Sequence, residues 1–520
     1  VIEPVQAVPI TADKKIADIW TEMQTEKLSL MNRCELYSEW TLAWIFPPEH
    51  VTVAEVLPKS GGSIGARCVN HLSNHIVQIL FPANRPFYRS HVGDKTKAMG
   101  EQMGLRESDL QSILARIEHE SQLSTNIASH RNRAVDAMKH LIITGNACMY
   151  YYEDPKTKTR KAAMYDLRNY SVQRAWDGSI YRLCTRDTKK LKAFNAKTRE
   201  IIKANKKGVN DETLCTLYTL IEWDADTQRY IVRQAADDVN LQTDEKITYP
   251  KQLLPWVALT WNRKHGENYG RGLVEDYEYS FNAHSALTTA LDQMVAIMSD
   301  IKRFVNPTSV VDIDELNNSA PGTYHAAAMN DIWTPDMGKA YDIQAVHSRI
   351  QAIEQELGSA FMLSTATTRQ AERVTAEEIK MQIRELEMSH GGIYSKFADE
   401  WQFPLATLIL FDAGLGPDLD ITPFIITGMD ALSRSAESEA VYLVFNDLAV
   451  TQNLGTWGRW LDEEKYLQMS CANRGIDPDK LFKEAQVVAE EDQARMQAQA
   501  EMQQAEMQAK VAEQAMRTEQ

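Results

Sequence analysis

No stretch of this chain reaches the roughly 18–20 consecutive apolar residues that would cross a bilayer, and Val1 opens no charged leader followed by an apolar core. Neither a membrane-spanning nor a secreted chain is expected, and no membrane partner. Cysteine is scarce: six residues (Cys34, Cys68, Cys148, Cys184, Cys215, Cys471) are scattered over 520, with no C-x-x-C pair. That spacing argues against a disulfide framework or a zinc knuckle and leaves free, mostly buried thiols in a reducing compartment. The phosphate cradle G-x-x-x-x-G-K-[ST] is absent, so the chain carries no P-loop motor. Positive charge is also in deficit, with 56 Lys and Arg against 72 Asp and Glu, a net charge of −16. A simple nucleic-acid binder presents a basic face, which this balance disfavours. It still permits a surface past which nucleic acid slides without being held.

What is present is the mixture of a soluble globular protein, 44% hydrophobic and 25% charged. At 520 residues the chain exceeds one ordinary core, and two or more packed units are expected. Residues 12–46 space Ile16, Ile19, Trp20, Met23, Cys34, Tyr37 and Trp40 as a helix would, until Pro47 and Pro48 stop it. A glycine-rich turn, KSGGSIGA, leads into a second helix ending at Pro82, and 105–143 reads as helical again. Residues 147–261 change texture to short Tyr-, Val-, Ile- and Thr-rich runs between polar turns, the pattern of strands. Two long helices follow, 272–300 and 341–362, with apolar stripes through Leu291 and through Ile350 and Leu357. At ~1.5 Å per residue they would be roughly 43 and 33 Å long. Between them, 301–340 holds Pro307, Pro321 and Pro335 and reads as a compact strand-and-loop excursion at the end of a helical hairpin. A hydroxyl-rich loop, STATTRQAER, separates the second rod from a new helix opened by a capping box at Thr375 and Glu378. Gly391-Gly392 favours a break in that helix, and beyond about 485 the chain becomes an Ala-, Gln-, Glu- and Met-rich helix former with a thin apolar stripe.

Chemistry-bearing motifs are few. Gly61-Gly62-Ser63-Ile64-Gly65 fits G-x-S-x-G, which would make Ser63 the nucleophile of an α/β-hydrolase. That elbow needs a buried strand before it, and the residues here are EVLPK, with all strand-rich sequence far downstream. His71 and His75 are four apart on one helix, but Leu72 stands where a zinc peptidase has glutamate, so two surface histidines are expected and no metal. The lysine-rich run 189–207 reads as a solvated face before it reads as a nucleic-acid site. No catalytic residue and no cofactor is expected. A helical assembly scaffold without a DNA role is the other alternative.

FMLSTATTRQAERVTAEEI, followed by GGIYSKFADEWQFPL, resembles the portal, or head-to-tail connecting, proteins of short-tailed bacteriophages. SIGARCVNHLSNHIVQILFP, LIITGNACMYY and ENYGRGLVEDY agree in order and spacing, over roughly 15–480, and the tail agrees in composition. The resemblance implies a predominantly helical α+β portal fold assembled as a ring, usually of twelve copies, at one capsid vertex. Its parts would be wing (1–268 and 375–480), stem helices (269–300 and 341–362), clip (301–340), tunnel loop (363–374) and crown (481–520). Double-stranded DNA would pass non-specifically along Thr367, Thr368, Arg369 and Arg373, because backbone contacts position without reading bases. Asp312, Asp314 and Glu315 would be clip contacts, and Leu291, Ile350 and Leu357 subunit packing. Implied partners are further copies, the large terminase subunit, a tail adaptor, the major capsid protein and scaffolding or internal core proteins.

Overall fold

A computed structural model describes residues 15–49, 62–82, 87–93, 95–96, 114, 117, 127–154, 159–194, 196–206, 208, 210–241, 247–299, 304–308, 312–320, 323–324, 332–333, 340–363, 392–415 and 419–425. Residues 1–428 form one compact unit and 429–520 a second, and every described residue belongs to the first. The fold is mixed helix and sheet, and no described helix is long and apolar enough to cross a membrane.

The first helical stretch breaks in two, α1 (Ile16–Glu26) and α2 (Leu28–Trp40), at Lys27. That lysine is almost wholly buried, and its Nζ donates to the carbonyls of Leu167 and Tyr170. It faces the rings of Trp20, Tyr170 and Tyr269. Burial pushes its ammonium down to about 7, against the pull of Asp166. Next, α3 (Ile64–Leu80) turns Cys68, Leu72, Ile76 and Leu80 inward. Strand β1 (Tyr88–Val92) and α4 (Ile127–Thr144) follow.

The strand-rich middle is confirmed, with one exception. Strands β2 (Asn146–Glu153), β3 (Arg160–Tyr165), β4 (Tyr170–Arg174) and β5 (Ile180–Lys190) precede a short helix, α5 (Ala196–Asn205), inside the lysine-rich run. Then come β6 (Leu214–Asp224), β7 (Arg229–Ala236), β8 (Val239–Asn240), β9 (Ile247–Pro250) and β10 (Trp256–Thr260). They form two antiparallel sheets, β10-β2-β3 and β4-β5-β6-β7-β8 with β9 on β7. The larger sheet carries α1, whose Ile16, Ile19, Trp20 and Met23 pack on Cys184 and Leu220. The smaller carries α4. Carboxylates pair with part of the lysine-rich run: Lys190 and Lys192 share Glu212 at 2.6 Å, and Lys203 meets Asp211 at 2.7 Å.

A buried clasp fixes where the hairpin leaves this body. Gly145, at φ 75, ends α4 so tightly that a side chain there would sit 2.5 Å from the amide of Gly272. Asn146, wholly buried, donates Nδ2 to the Gly270 carbonyl (2.8 Å) and accepts the Gly270 amide (2.8 Å). The segments TGNA and YGRG are therefore one joint. Past it come α6 (Leu273–Asp276) and α7 (Glu278–Ser299), the tip with β11 (Phe304–Val305), α8 (Ile313–Asn318) and β12 (Ile332–Trp333), and α9 (Ala340–Ala360). Gly392, at φ 80, opens α10 (Ile393–Phe397). A π-helical turn at Ala398–Gln402 then buries Trp401, which donates Nε1 to Tyr151 Oη at 2.7 Å, before α11 (Phe403–Asp412). Strand β13 (Ile421–Ile425) returns to pair with β1. The capping box at Thr375 and Glu378 and the helix beyond 485 lie outside the described residues.

Candidate functional site: the helical hairpin and its tip

The two rods predicted at 272–300 and 341–362 are α7 and α9, and they run antiparallel. Early residues of one meet late residues of the other: Ser280 Oγ donates to Glu356 Oε1 (2.9 Å), and His284 Nε2 lies 3.1 Å from Glu354 Oε1. Phe281 and Phe361 meet edge to face at 5.7 Å, with Tyr277 alongside.

This base is seated on α3. A Cβ on Gly62 would run into Cε1 of His284, so the glycine is what admits the imidazole. A Cβ on Gly65 would run into the Trp40 carbonyl, so α3 packs directly on the end of α2. Cys68 Sγ points to the Leu357 carbonyl at 3.9 Å, and burial pushes that thiol up to about 12, which makes it a packing group and not a nucleophile. GGSIG is thus a close-packing motif. Ser63 begins α3 at φ −98, ψ −1, an ordinary helical conformation and not a strained elbow, and no hydrogen bond joins it to a histidine among the described residues. Nearby, His71 and His75 depart from expectation. They are half-buried with rings stacked at 6.1 Å, their Nδ1 and Nε2 atoms respectively lack partners, and burial beside His71 lowers the pKa of His75. No group of three potential metal ligands stands together among the described residues.

Burial falls along the hairpin. Ile350, Ile353, Leu357 and Phe361 are buried near the base, whereas Leu291 and Met294 are half-covered and Val295 and Ile297 are 52% and 58% exposed. Leu357 and Ile350 therefore pack within their own chain, which leaves Leu291 as the member of that trio with surface free for a neighbour. At the tip, β11 and β12 pair Phe304 with Trp333. Asp312 caps α8, accepting the amides of Asp314 (2.9 Å) and Glu315 (3.4 Å), so its carboxylate has a structural task. Asp314 and Glu315 are exposed. At the other end, Met362 closes α9 at φ 57, a conformation unusual for a bulky side chain, just before the hydroxyl-rich loop. Thr367, Thr368, Arg369 and Arg373 lie outside the described residues.

Comparison with known proteins places this architecture. The family described as bacteriophage head to tail connecting protein matches residues 53–442, and the chain belongs to that family. It is a portal protein of the podovirus kind: the portal protein of Enterobacteria phage SP6 is 31% identical over 460 residues, 86% of this chain and 87% of the relative. That of Escherichia phage T7 is 28% identical (82% and 80% covered), and that of Pseudomonas phage phiKMV 26% (93% and 94%). Among solved structures, chains from the neck of an empty gene transfer agent particle and from a native gene transfer agent virion align at TM-score 0.39 and 10% identity. Each alignment covers 80% of this chain and 91% of the other. None of these names is enzymatic.

Proposed function

We propose that copies of this chain close into a ring, usually of twelve, at one vertex of a phage capsid. DNA passes through the ring during packaging and ejection, and the tail is attached to it. In this reading 269–300 and 341–362 are the stem, 301–340 the clip, 363–374 a loop facing double-stranded DNA, 481–520 the crown, and 1–268 with 375–480 the wing. The clip docks the large terminase subunit and then the tail adaptor, and the wing meets the major capsid protein and scaffolding or core proteins. The ring forms in the host cytoplasm and resides in the virion.

The observation that carries the reading is the family match over 53–442 joined to a hairpin whose base is locked while its distal apolar stripe is open. One hairpin cannot cover that stripe, and a neighbour in a ring can. At the loop, arginines contact phosphate in any sequence context, with a salt slope of about −0.9 per phosphate engaged. Two per subunit on about twelve copies would trap DNA if all were engaged together, so contact must be weak and intermittent, and the chain's net charge of −16 works in that direction. Electron microscopy of the purified full-length chain tests the reading. Closed rings with a central hole wide enough for a duplex are expected, whereas discrete monomers, or assemblies without a hole, contradict it.

A further inference from the structure

A cyclic assembly needs two different patches on each copy, one to insert and one to receive. We propose that the turn between β4 and β5, led by Trp176, inserts into the face of α2 on the next copy; this contact rests on the ring reading above.

Trp176 is 74% exposed, an unusual place for the largest side chain. Its turn is held rigid from beneath. Gly178, at φ 84, donates its amide to the Ala175 carbonyl (2.9 Å), and the Ala175 amide reaches Ser179 (2.9 Å). Arg174 sends one guanidinium to three carbonyls: Gly178 (3.0 Å), Asn268 (3.2 Å) and Ala258 (2.7 Å). Arg263 closes the other side, where a Cβ on Gly178 would lie 2.6 Å from its Nη2. Asp177 is turned back on Ser179 (2.9 Å to the amide). An exposed tryptophan on a preorganised turn loses little freedom on docking, the property of an interface anchor. Arg263 and Lys251 make its surroundings basic.

The receiving face has the complementary character. A small, open cleft of about 120 Å³ on α2 and the turn after it is lined by Leu36, Ala43, Phe46 and Pro48, with Glu35 and Glu39 beside them. Its floor is built: Glu35 accepts Arg168 Nη2 at 2.6 Å, and that guanidinium lies 4.0 Å over the Phe46 ring. Leu36 and Trp44 are 48% and 54% exposed, so the apolar surface continues past the cleft. An aromatic knob beside Arg263 and Lys251 on one copy thus meets an apolar cleft on the next whose rim carries the Glu39 carboxylate, a match of apolar surface and of charge.

Cross-linking after assembly tests the contact. Full-length chain carrying Trp176→Cys with Ala43→Cys, in a Cys471→Ser background, is oxidised once assembled; the other five cysteines are buried. A ladder of linked subunits is expected on a denaturing gel, absent from either single variant. In parallel, Trp176→Ala should leave subunit melting unchanged and raise the concentration for half-assembly ~30-fold, the effect of losing one interface anchor. If the parent chain never assembles, the ring reading and this contact fall together. If it assembles, yet the double variant gives no ladder and Trp176→Ala assembles like the parent, only the contact is overturned. Normal assembly of Trp176→Ala with lost binding of another phage protein also overturns it, and gives the turn to that partner.

Discussion

The base and the distal half of the hairpin are made of similar helices and have opposite fates. At the base, Phe281, Leu357 and Phe361 are wholly or almost wholly buried, and His284 is pressed against Gly62 and bonded to Glu354. Farther out, the same spacing continues through Leu291, Met294 and Val295, but none of the described residues covers it fully. Periodicity alone does not distinguish a stripe that finds its partner within the chain from one that waits for a neighbour. At the base the partner is within the chain, where Cys68 of α3 reaches the Leu357 carbonyl and Tyr37 of α2 donates to Glu278.

The largest expected effect comes from breaking the base. Leu357→Ala should cost ~2–5 kcal/mol, because it leaves a cavity at a site with no exposure, and Ile350→Ala falls in the same range. Urea unfolding of the free subunit measures both. Gly62→Ala comes next, at ~1–3 kcal/mol, since the added methyl must displace the His284 ring. His284→Ala in the same chain should restore part of that loss; if it adds a further full loss instead, the two residues do not share one contact.

Smaller effects sharpen the contrast. Leu291→Ala should cost about 1 kcal/mol or less in the free subunit, because its side chain is only partly buried there, and weaken assembly more than it weakens folding. Equal losses in both would place it in the subunit core. Asp312→Ala removes two capping bonds from a helix of six residues. It should cost ~0.5–2 kcal/mol locally and leave global melting unchanged, with hydrogen exchange in 313–318 as the readout.

Much of this hairpin was legible from local pattern. Helices read at 272–300 and 341–362 lie at 278–299 and 340–360, because long apolar stripes at three- and four-residue steps leave little freedom. The tip reads as strands and turns, and its described residues hold β11, β12 and a capped helical turn. What local pattern could not give are contacts between residues far apart in the chain. Helical spacing puts His284 on the apolar stripe of α7 and gives no sign of Gly62 and Glu354 beside it, and GGSIG resembles a hydrolase signature for the same reason. Nothing in the helical spacing of 12–46 marks Lys27, which is a buried plug that divides that stretch in two, held by carbonyls more than a hundred residues away. A glycine before an asparagine at 145–146 carried a hint, since such a pair marks a turn, but its partner Gly270 is 124 residues on.

Thiol labelling at the distal stripe tests most directly whether neighbouring copies complete the hairpin. Ile297 is 58% exposed in the single chain, and the five described native cysteines are buried. In full-length protein carrying Ile297→Cys and Cys471→Ser, labelling should be fast in free subunits and slow after assembly, while an Ala204→Cys control on the exposed face of α5 stays fast in both. Equal labelling of Ile297→Cys before and after assembly would mean that the stripe stays open to water, and that no neighbour completes the hairpin.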